Sequence, residues 1–516
     1  MNYGFAIDTR SCIGCHACST ACKSENGVAL GVSRTWVKYT EEGQYPDVSR
    51  HFQVTRCNHC ANPPCVTICP VTAMYQRDDG IVEFDSDLCI GCKGCMQACP
   101  YDSIHIDPDT NTAAKCHYCA HRVEVGREPA CVVVCPTHAI ISGDMEDPNS
   151  EISHVLAKNA TTVRKPEKMT SPNLFYIDGA EVSLRPTATP PSDGMMYTDV
   201  VRDYAEQVID RPMQQGPRVA EQMVQVAYNA HHKVPWHWPV PAYLVTKGIG
   251  AGLFLLMATG IVFDLFTVSH KELAIGGGIA IAMLALTTIF LIVDLERPER
   301  FFRILLRPQM KSWITRGAFI LVTFTHVAGA WWALELATWL GWIEPTLIDQ
   351  LRLPMAIITL PLGVATAIYT AFIFAQCEGR DLWQTPLLPA HLMVQALMIG
   401  SAAVLTFSAF FEPGLISAAT SVFTVALVID LFMILTGEFG MKHSTDTAAA
   451  AAHDITHGRY KNMFWGGAIL LGHIVPFVLI MVGGSTLAVV ASIAALIGLY
   501  QYEYAFVMAP QHVPNS

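Results

Sequence analysis

Charge is scarce in this chain. Asp, Glu, Lys and Arg make up 15% of its 516 residues, while 52% are hydrophobic. A chain this long and this apolar is not an ordinary soluble protein; the composition fits a bilayer. Cysteine is all but missing beyond residue 135, where Cys377 stands alone. The N-terminal stretch MNYGFAIDTR has neither the apolar run nor the twin arginine of an export signal. The expected compartment is therefore the reducing cytosol, which disfavours a disulfide framework. Basic residues are also the minority, 33 against 44 acidic for a net charge of −11. Acidic residues outnumber basic ones across residues 1–150 as well, which excludes the basic footprint of a nucleic-acid binder.

What is present is a concentration of thiols. Sixteen of the 17 cysteines fall between residues 12 and 135. They form four runs: Cys12, Cys15, Cys18, Cys22; Cys57, Cys60, Cys65, Cys69; Cys89, Cys92, Cys95, Cys99; and Cys116, Cys119, Cys131, Cys135. The last three runs end in proline, at Pro70, Pro100 and Pro136. The spacing C-x2-C-x2-C-x3-C-P is a [4Fe–4S] ligand signature, in which three thiolates share a tight loop and the fourth serves a neighbouring cluster. Iron that changes oxidation state needs such soft donors. Zinc usually takes two C-x2-C knuckles, and triplets with a distant fourth cysteine fit it poorly. Sixteen ligands at four per cluster predict four [4Fe–4S] clusters.

Short β-type segments flank the runs: GFAID, WVKYT, FQVTR, GIVEF, SIHID and AIISG. Strand, cysteine loop, helix and strand in succession predict an α+β, ferredoxin-like double module over residues 1–150. The stretches CIGCHACSTACKSEN, CNHCANPPCVTICP, DLCIGCKGCMQACPYDSI and KCHYCAHRVEVGREPACVVVCPTHAI resemble the four-cluster electron-transfer subunits of molybdopterin oxidoreductases, such as dimethyl sulfoxide and polysulfide reductase. The resemblance implies that the first run pairs with the fourth and the second with the third. Its implied ligand sets are Cys12, Cys15, Cys18 with Cys135; Cys116, Cys119, Cys131 with Cys22; Cys57, Cys60, Cys65 with Cys99; and Cys89, Cys92, Cys95 with Cys69. Spacing alone does not reveal this pairing.

Residues 151–232 read as a connector rich in Pro, Ser and Thr, with a short helix expected at YTDVVRDYAEQVI and no chemistry assigned. Residues 233–516 read as an all-α integral membrane bundle. Eight apolar segments lie near 240–266, 273–294, 317–340, 354–376, 390–411, 415–435, 463–484 and 485–507. An even number leaves both ends on one side. That side carries Lys233, Arg297, Arg300, Arg303, Arg307, Lys311, Arg316, Arg380, Lys442, Arg459 and Lys461, against Lys271 and Arg352 opposite. The positive-inside rule then predicts the inner (cytoplasmic) membrane with the cysteine-rich part facing the cytoplasm. The basic loop 297–316 has a second reading, as a dock for acidic protein or lipid headgroups.

DLERPERFFRILLRPQMKSWITRGAFIL and FWGGAILLGHIVPFVLIM resemble the NrfD-type membrane subunit of polysulfide reductase, through Asp294, Leu295, Arg297 and Pro298 in the first. NAHHKVPWHWPVPAYLVTKGIGAG fits the start of that family's first helix. The resemblance implies a quinone partner, menaquinone or ubiquinone, and no haem. It places the quinone near this helix start, at Asn229, His231 and His232. His and Trp at that position also serve as interfacial anchors. Ionisable residues inside the spans are costly and point to function: Lys247, Asp264, His326, Glu335, Asp430 and His473. Lys247 and Asp264 lie near helix ends and can snorkel; Glu335 and Asp430 are the proton-path candidates. His326, His391 and His473 are isolated in sequence, so no axial haem pair is expected.

The reading that follows is a fused electron-transfer and anchor subunit. It connects membrane quinone to a separate molybdopterin catalytic subunit, and no substrate pocket is expected in this chain. The alternatives are a redox-driven ion-translocating protein and a ferredoxin:quinone oxidoreductase without a molybdenum partner.

Overall fold

The computed structural model describes residues 1–44, 46–188, 224–230 and 232–516. The chain divides into two compact units. One comprises Met1–Pro235 with Cys377–Gly379 and Pro514–Ser516; the other comprises Trp236–Gln376 with Arg380–Val513.

In the first unit all six expected strands form. The strands are β1 (Tyr3–Asp8), β2 (Thr35–Gln44), β3 (Asp47–Arg56), β4 (Met74–Gln76), β5 (Val82–Phe84), β6 (Ile104–Asp107), β7 (Thr112–Lys115), β8 (Ile140–Asp144), β9 (Thr161–Thr162), β10 (Leu174–Ile177) and β11 (Val224–Tyr228). One sheet has the order β8-β1-β10-β9, with β1 antiparallel to β8 and parallel to β10. A second has the order β11-β2-β3, and β4-β5 and β6-β7 are two-stranded ribbons. Phe5, Ile7, Val37, Val54, Tyr118, Ile140, Leu174 and Tyr176 are buried together in its core.

The expected connector, residues 151–232, supplies strands to both larger sheets, β9 and β10 to the first and β11 to the second. Its segment 174–177 is an inner strand of the first sheet, paired Phe5 to Leu174 and Asp8 to Ile177. The apolar run LFYI has a partner in β1 that lies far away in sequence, which a local reading does not see. The short helix expected at YTDVVRDYAEQVI lies outside the described residues.

The second unit holds eight helices long and apolar enough to cross a membrane: Pro239–Val262, His270–Val293, Trp313–Trp339, Pro345–Gln376, Leu388–Thr406, Pro413–Glu438, Met463–Val482 and Ser485–His512. They match the eight expected segments in number and order. The fourth begins well before its expected start because Pro354 and Pro361 lie inside the helix; prolines are tolerated in membrane helices whose neighbours re-satisfy the freed groups. The weak break expected at GGSTLA is a true one. Gly483 and Gly484 adopt φ of 85° and 105° and end the seventh span. Ser269 starts the second span with a full capping box to Glu272.

Small residues set the helix contacts, as expected where apolar burial gives no preference between helix and lipid. The first and fifth spans meet backbone to backbone at Gly252 and Gly400, where a Cβ on either would strike the other helix. Gly472 and Gly498 do the same for the seventh and eighth.

Candidate metal centres and intramembrane polar network

Each cysteine run folds as a loop that turns through left-handed backbone and then enters a short helix. The positive-φ residues are Gly14 and His16 in the first run, His59 in the second, Gly91 and Lys93 in the third, and Tyr118 in the fourth. Such turns wrap a chain around a point and aim successive N–H groups inward, a natural cradle for an anionic cluster. The helix Ala17–Glu25, which carries Cys18 and Cys22, packs against Ala130–Val133, which carries Cys131. The helix Pro64–Ile68, with Cys65, packs against Gly94–Ala98, with Cys95. First run thus meets fourth, and second meets third.

Two voids mark where these loops converge. One is lined by Cys69, Cys89, Cys92 and Cys95. The other is lined by Cys22, Cys116, Cys119 and Cys131. Each takes three thiols from one run and one from its partner. The remaining thiols cluster likewise: burial raises the Cys12 thiol, with the charge of Cys135 and Cys15 adding to it. Burial also raises Cys65, with Cys57, Cys99 and Cys60 adding.

These thiols are poorly suited to stand alone. Burial pushes Cys92 up to about 12, with the charge of Cys69 adding. Burial pushes Cys22 up to about 12, with Cys131 and Cys119 adding. A metal centre that displaces the protons resolves this repulsion, since thiolate is the ligand form. Donors already aim at sulfur: Gly91 N to Cys89 at 3.4 Å, Met74 N to Cys69 at 3.4 Å and Ala139 N to Cys135 at 3.2 Å. Asn26 Nδ2 reaches both Cys22 and Cys119, at 3.6 and 3.7 Å. A void ringed by four thiols suits a multi-iron cluster better than one zinc. The residues therefore fit the group.

Two of the three expected quinone residues are described, and both are held by the first unit. Asn229 Oδ1 accepts from Trp36 Nε1 at 2.9 Å, and its Nδ2 donates to the Ser516 carbonyl at 3.2 Å. His232 Nε2 lies 3.1 Å from Ser516 Oγ, and its ring centroid lies 5.1 Å from that of Trp36. His231 lies outside the described residues.

The membrane unit gathers its polar residues into two groups. In one, Glu335 is fully buried. Arg352 approaches both its oxygens at 2.9 Å, His270 lies 2.6 Å away and Trp331 Nε1 donates at 3.1 Å. In the other, Asp430 lies 2.8 Å from His391 and 2.8 Å from His473. His391 also lies 2.9 Å from Glu438, which accepts from the Tyr502 hydroxyl. Two of the three histidines that look isolated in sequence, His391 and His473, thus meet at one carboxylate. π-helical turns at Met433–Glu438 and Met463–Ile474 flank this meeting point; such turns often mark functional sites. Glu438, Tyr502 and His391 carried no expectation as a group, because their spans are far apart in sequence. Lys247 is buried too, donating to Thr370 Oγ1 at 2.6 Å and to the Ala367 carbonyl at 3.1 Å, so it does not snorkel. Asp264 and His326 are exposed, and His326 Nδ1 bonds the Val322 carbonyl.

The family model described as polysulphide reductase, NrfD, matches residues 227–515, more than half of the chain. The chain belongs to the NrfD polysulphide reductase family. Ahead of its NrfD part, a 4Fe-4S dicluster domain model matches residues 48–145. The chain is also similar to a subunit of the tetrathionate reductase of Salmonella typhimurium, 47% identical over 180 residues covering 34% of this chain and 72% of that protein. It is similar to a component of the polysulfide reductase of Wolinella succinogenes, 44% identical over 178 residues, 34% of this chain and 93% of that one. A third relative is the arsenate respiratory reductase iron–sulfur subunit of Shewanella, 34% identical over 225 residues, 34% of this chain and 96% of that protein. This NrfD protein is accordingly a multi-pass membrane component of an oxidoreductase, carrying [4Fe–4S] electron-transport chemistry and a membrane bundle on one chain.

Proposed function

We propose that this protein carries electrons between the membrane quinone pool and a separate molybdopterin catalytic subunit. Four [4Fe–4S] clusters would form the wire, on the four cysteine quartets implied by the first-with-fourth and second-with-third pairing. The observation that carries the reading is the pair of voids, each ringed by three thiols of one run and one of its partner. When bound, the clusters supply one-electron redox chemistry without proton transfer. The chain's own residues orient them through turning loops and N–H donors, and exclude water by burial.

The quinone, menaquinone or ubiquinone, is assigned to the start of the first span, with Asn229, His231 and His232 as its polar contacts. Quinol oxidation releases two electrons and two protons, so the site needs groups that hold a proton at the bilayer edge. The domain limits that go with this reading are 1–150 for the iron–sulfur part, 151–232 for the connector and 233–516 for the membrane part. The excess of Lys and Arg in one set of loops supports an inner-membrane protein with the iron–sulfur part on the cytoplasmic side.

The test is anaerobic stopped-flow with the purified complex. Quinol should bleach the cluster absorbance, and a molybdenum-containing partner should co-purify. Full turnover with soluble ferredoxin and no partner would favour a ferredoxin:quinone oxidoreductase. One observation favours a second reading, redox-driven ion translocation: the buried His391–Asp430–His473 group with Glu438 and Tyr502. Turnover that builds a potential in proteoliposomes would support it.

A further inference from the structure

We propose that Arg56 sets the reduction potential of the cluster held by Cys22, Cys116, Cys119 and Cys131, its buried guanidinium favouring the reduced form. The inference rests on the four-cluster reading above. Arg56 closes β3 directly before Cys57 and is 0% exposed. Its Nη1 donates to Cys131 Sγ at 3.0 Å, and its Cζ lies 4.6 Å over the Phe5 ring. Its Nε and Nη2 have no hydrogen-bond partner among the described residues, and no carboxylate pairs with it. The side chain borders the void ringed by the four thiols.

A buried cation without a counter-charge is costly, and leftover buried donors add to that cost. Among the described residues the anionic groups in reach are thiols, chiefly Cys131 and Cys116 of this quartet, with Cys18 of the neighbouring one, and whatever they hold. The arrangement makes sense once that void contains an anionic cluster, whose sulfurs can accept the remaining guanidinium protons. Reduction adds one electron and no proton, so it adds one negative charge beside Arg56. In a low-dielectric interior that charge is stabilised strongly, and hydrogen bonds to cluster sulfurs raise potentials in the same direction. Arg56 would thus make this cluster a favoured resting place for an electron along the wire.

The test is potentiometric EPR on the purified full-length protein. Arg56→Gln should lower the equilibrium constant for reducing one cluster at least tenfold, about 59 mV for one electron, and leave the others in place. Arg56→Lys keeps the charge and should lower the same potential by less. Full iron content with every potential unmoved in Arg56→Gln overturns the proposal. Should Arg56→Gln not retain its iron, pulsed EPR of the native protein labelled with 15N-arginine decides. Arg34 borders the same void, so a 15N coupling to one reduced cluster that persists in an Arg34→Lys protein supports the role, and its absence overturns it. Fewer than four clusters in the native protein, or a Cys131→Ser protein with every cluster signal intact, would instead overturn the four-cluster reading.

Discussion

His391 stands between two carboxylates, with Nε2 2.8 Å from Asp430 and Nδ1 2.9 Å from Glu438. A neutral imidazole donates from one nitrogen only. Either the ring carries two protons or one carboxyl is protonated. His473 poses the same condition, since Nδ1 faces the Ala468 carbonyl at 2.8 Å and Nε2 faces Asp430. The group therefore holds protons that can change owner without any heavy atom moving far. Networks of this kind are expensive in a membrane and usually functional.

Asp430→Asn removes the anion that both histidines share. With a proton-handling role, quinol-driven cluster reduction should slow on the order of 100-fold, while dithionite still reduces the clusters. An unchanged quinol rate would mark the group as a structural ion pair.

Glu335 is expected to behave differently. Arg352 and His270 pin it, and Trp331 donates to it. Glu335→Gln leaves the half-buried Arg352 guanidinium with only the exposed Asp349 carboxylate, 3.9 Å away, so stability should fall by about 1–3 kcal/mol. Turnover per folded molecule should stay near the native value. A large loss of turnover without loss of thermal stability would contradict this.

Cys95 is buried and lines one of the two thiol-ringed voids. Cys95→Ser should lower iron content by one cluster's share and block quinol oxidation, with membrane insertion intact. Iron analysis and membrane fractionation check both halves. Native iron content with native quinol oxidation would count against the assignment.

Gly400→Ala places a methyl group against the backbone of Gly252. The two spans must separate, costing about 1–3 kcal/mol as overpacking does. The thermal midpoint of the detergent-solubilised protein should drop. An unchanged midpoint would mean that the first and fifth spans do not touch at this point.

Lys38 sits buried in β2, where desolvation, with the nearby Arg164 charge adding, lowers its pKa from 10.5 to about 7. Between those values the unfolded chain holds a proton that the folded chain has released. Stability contributed at this site therefore rises with pH from about 7 to 10.5 and is lowest, and flat, below 7. Lys38→Met should stabilise the iron–sulfur unit most at about pH 6 and less at about pH 9. Equal gains at both pH values would refute the sign.

The strands beside the cysteine runs are legible because WVKYT, FQVTR and AIISG carry β-branched and aromatic residues in short bounded runs. β7 is missed because TAAK has no such signature; its partner β6 makes it a strand. β10 is missed because it lies past the last cysteine, inside a stretch whose composition suggests a connector, and only β1 gives it a place. Asn229 and His232 are legible as a polar cluster before the first span. Their ties to Trp36 and Ser516 are not, since each joins residues almost 200 or more apart.

The amino-acid sequence by itself determined the ligand chemistry and the number of spans. Both are local properties: thiols a few residues apart, and apolar runs as long as a bilayer is thick. Only the tertiary structure decided which thiols ring a common void, and that Asp430 of the sixth span would meet His391 of the fifth and His473 of the seventh. Those meetings depend on how loops and helices pack across long stretches of chain, and no local spacing encodes that.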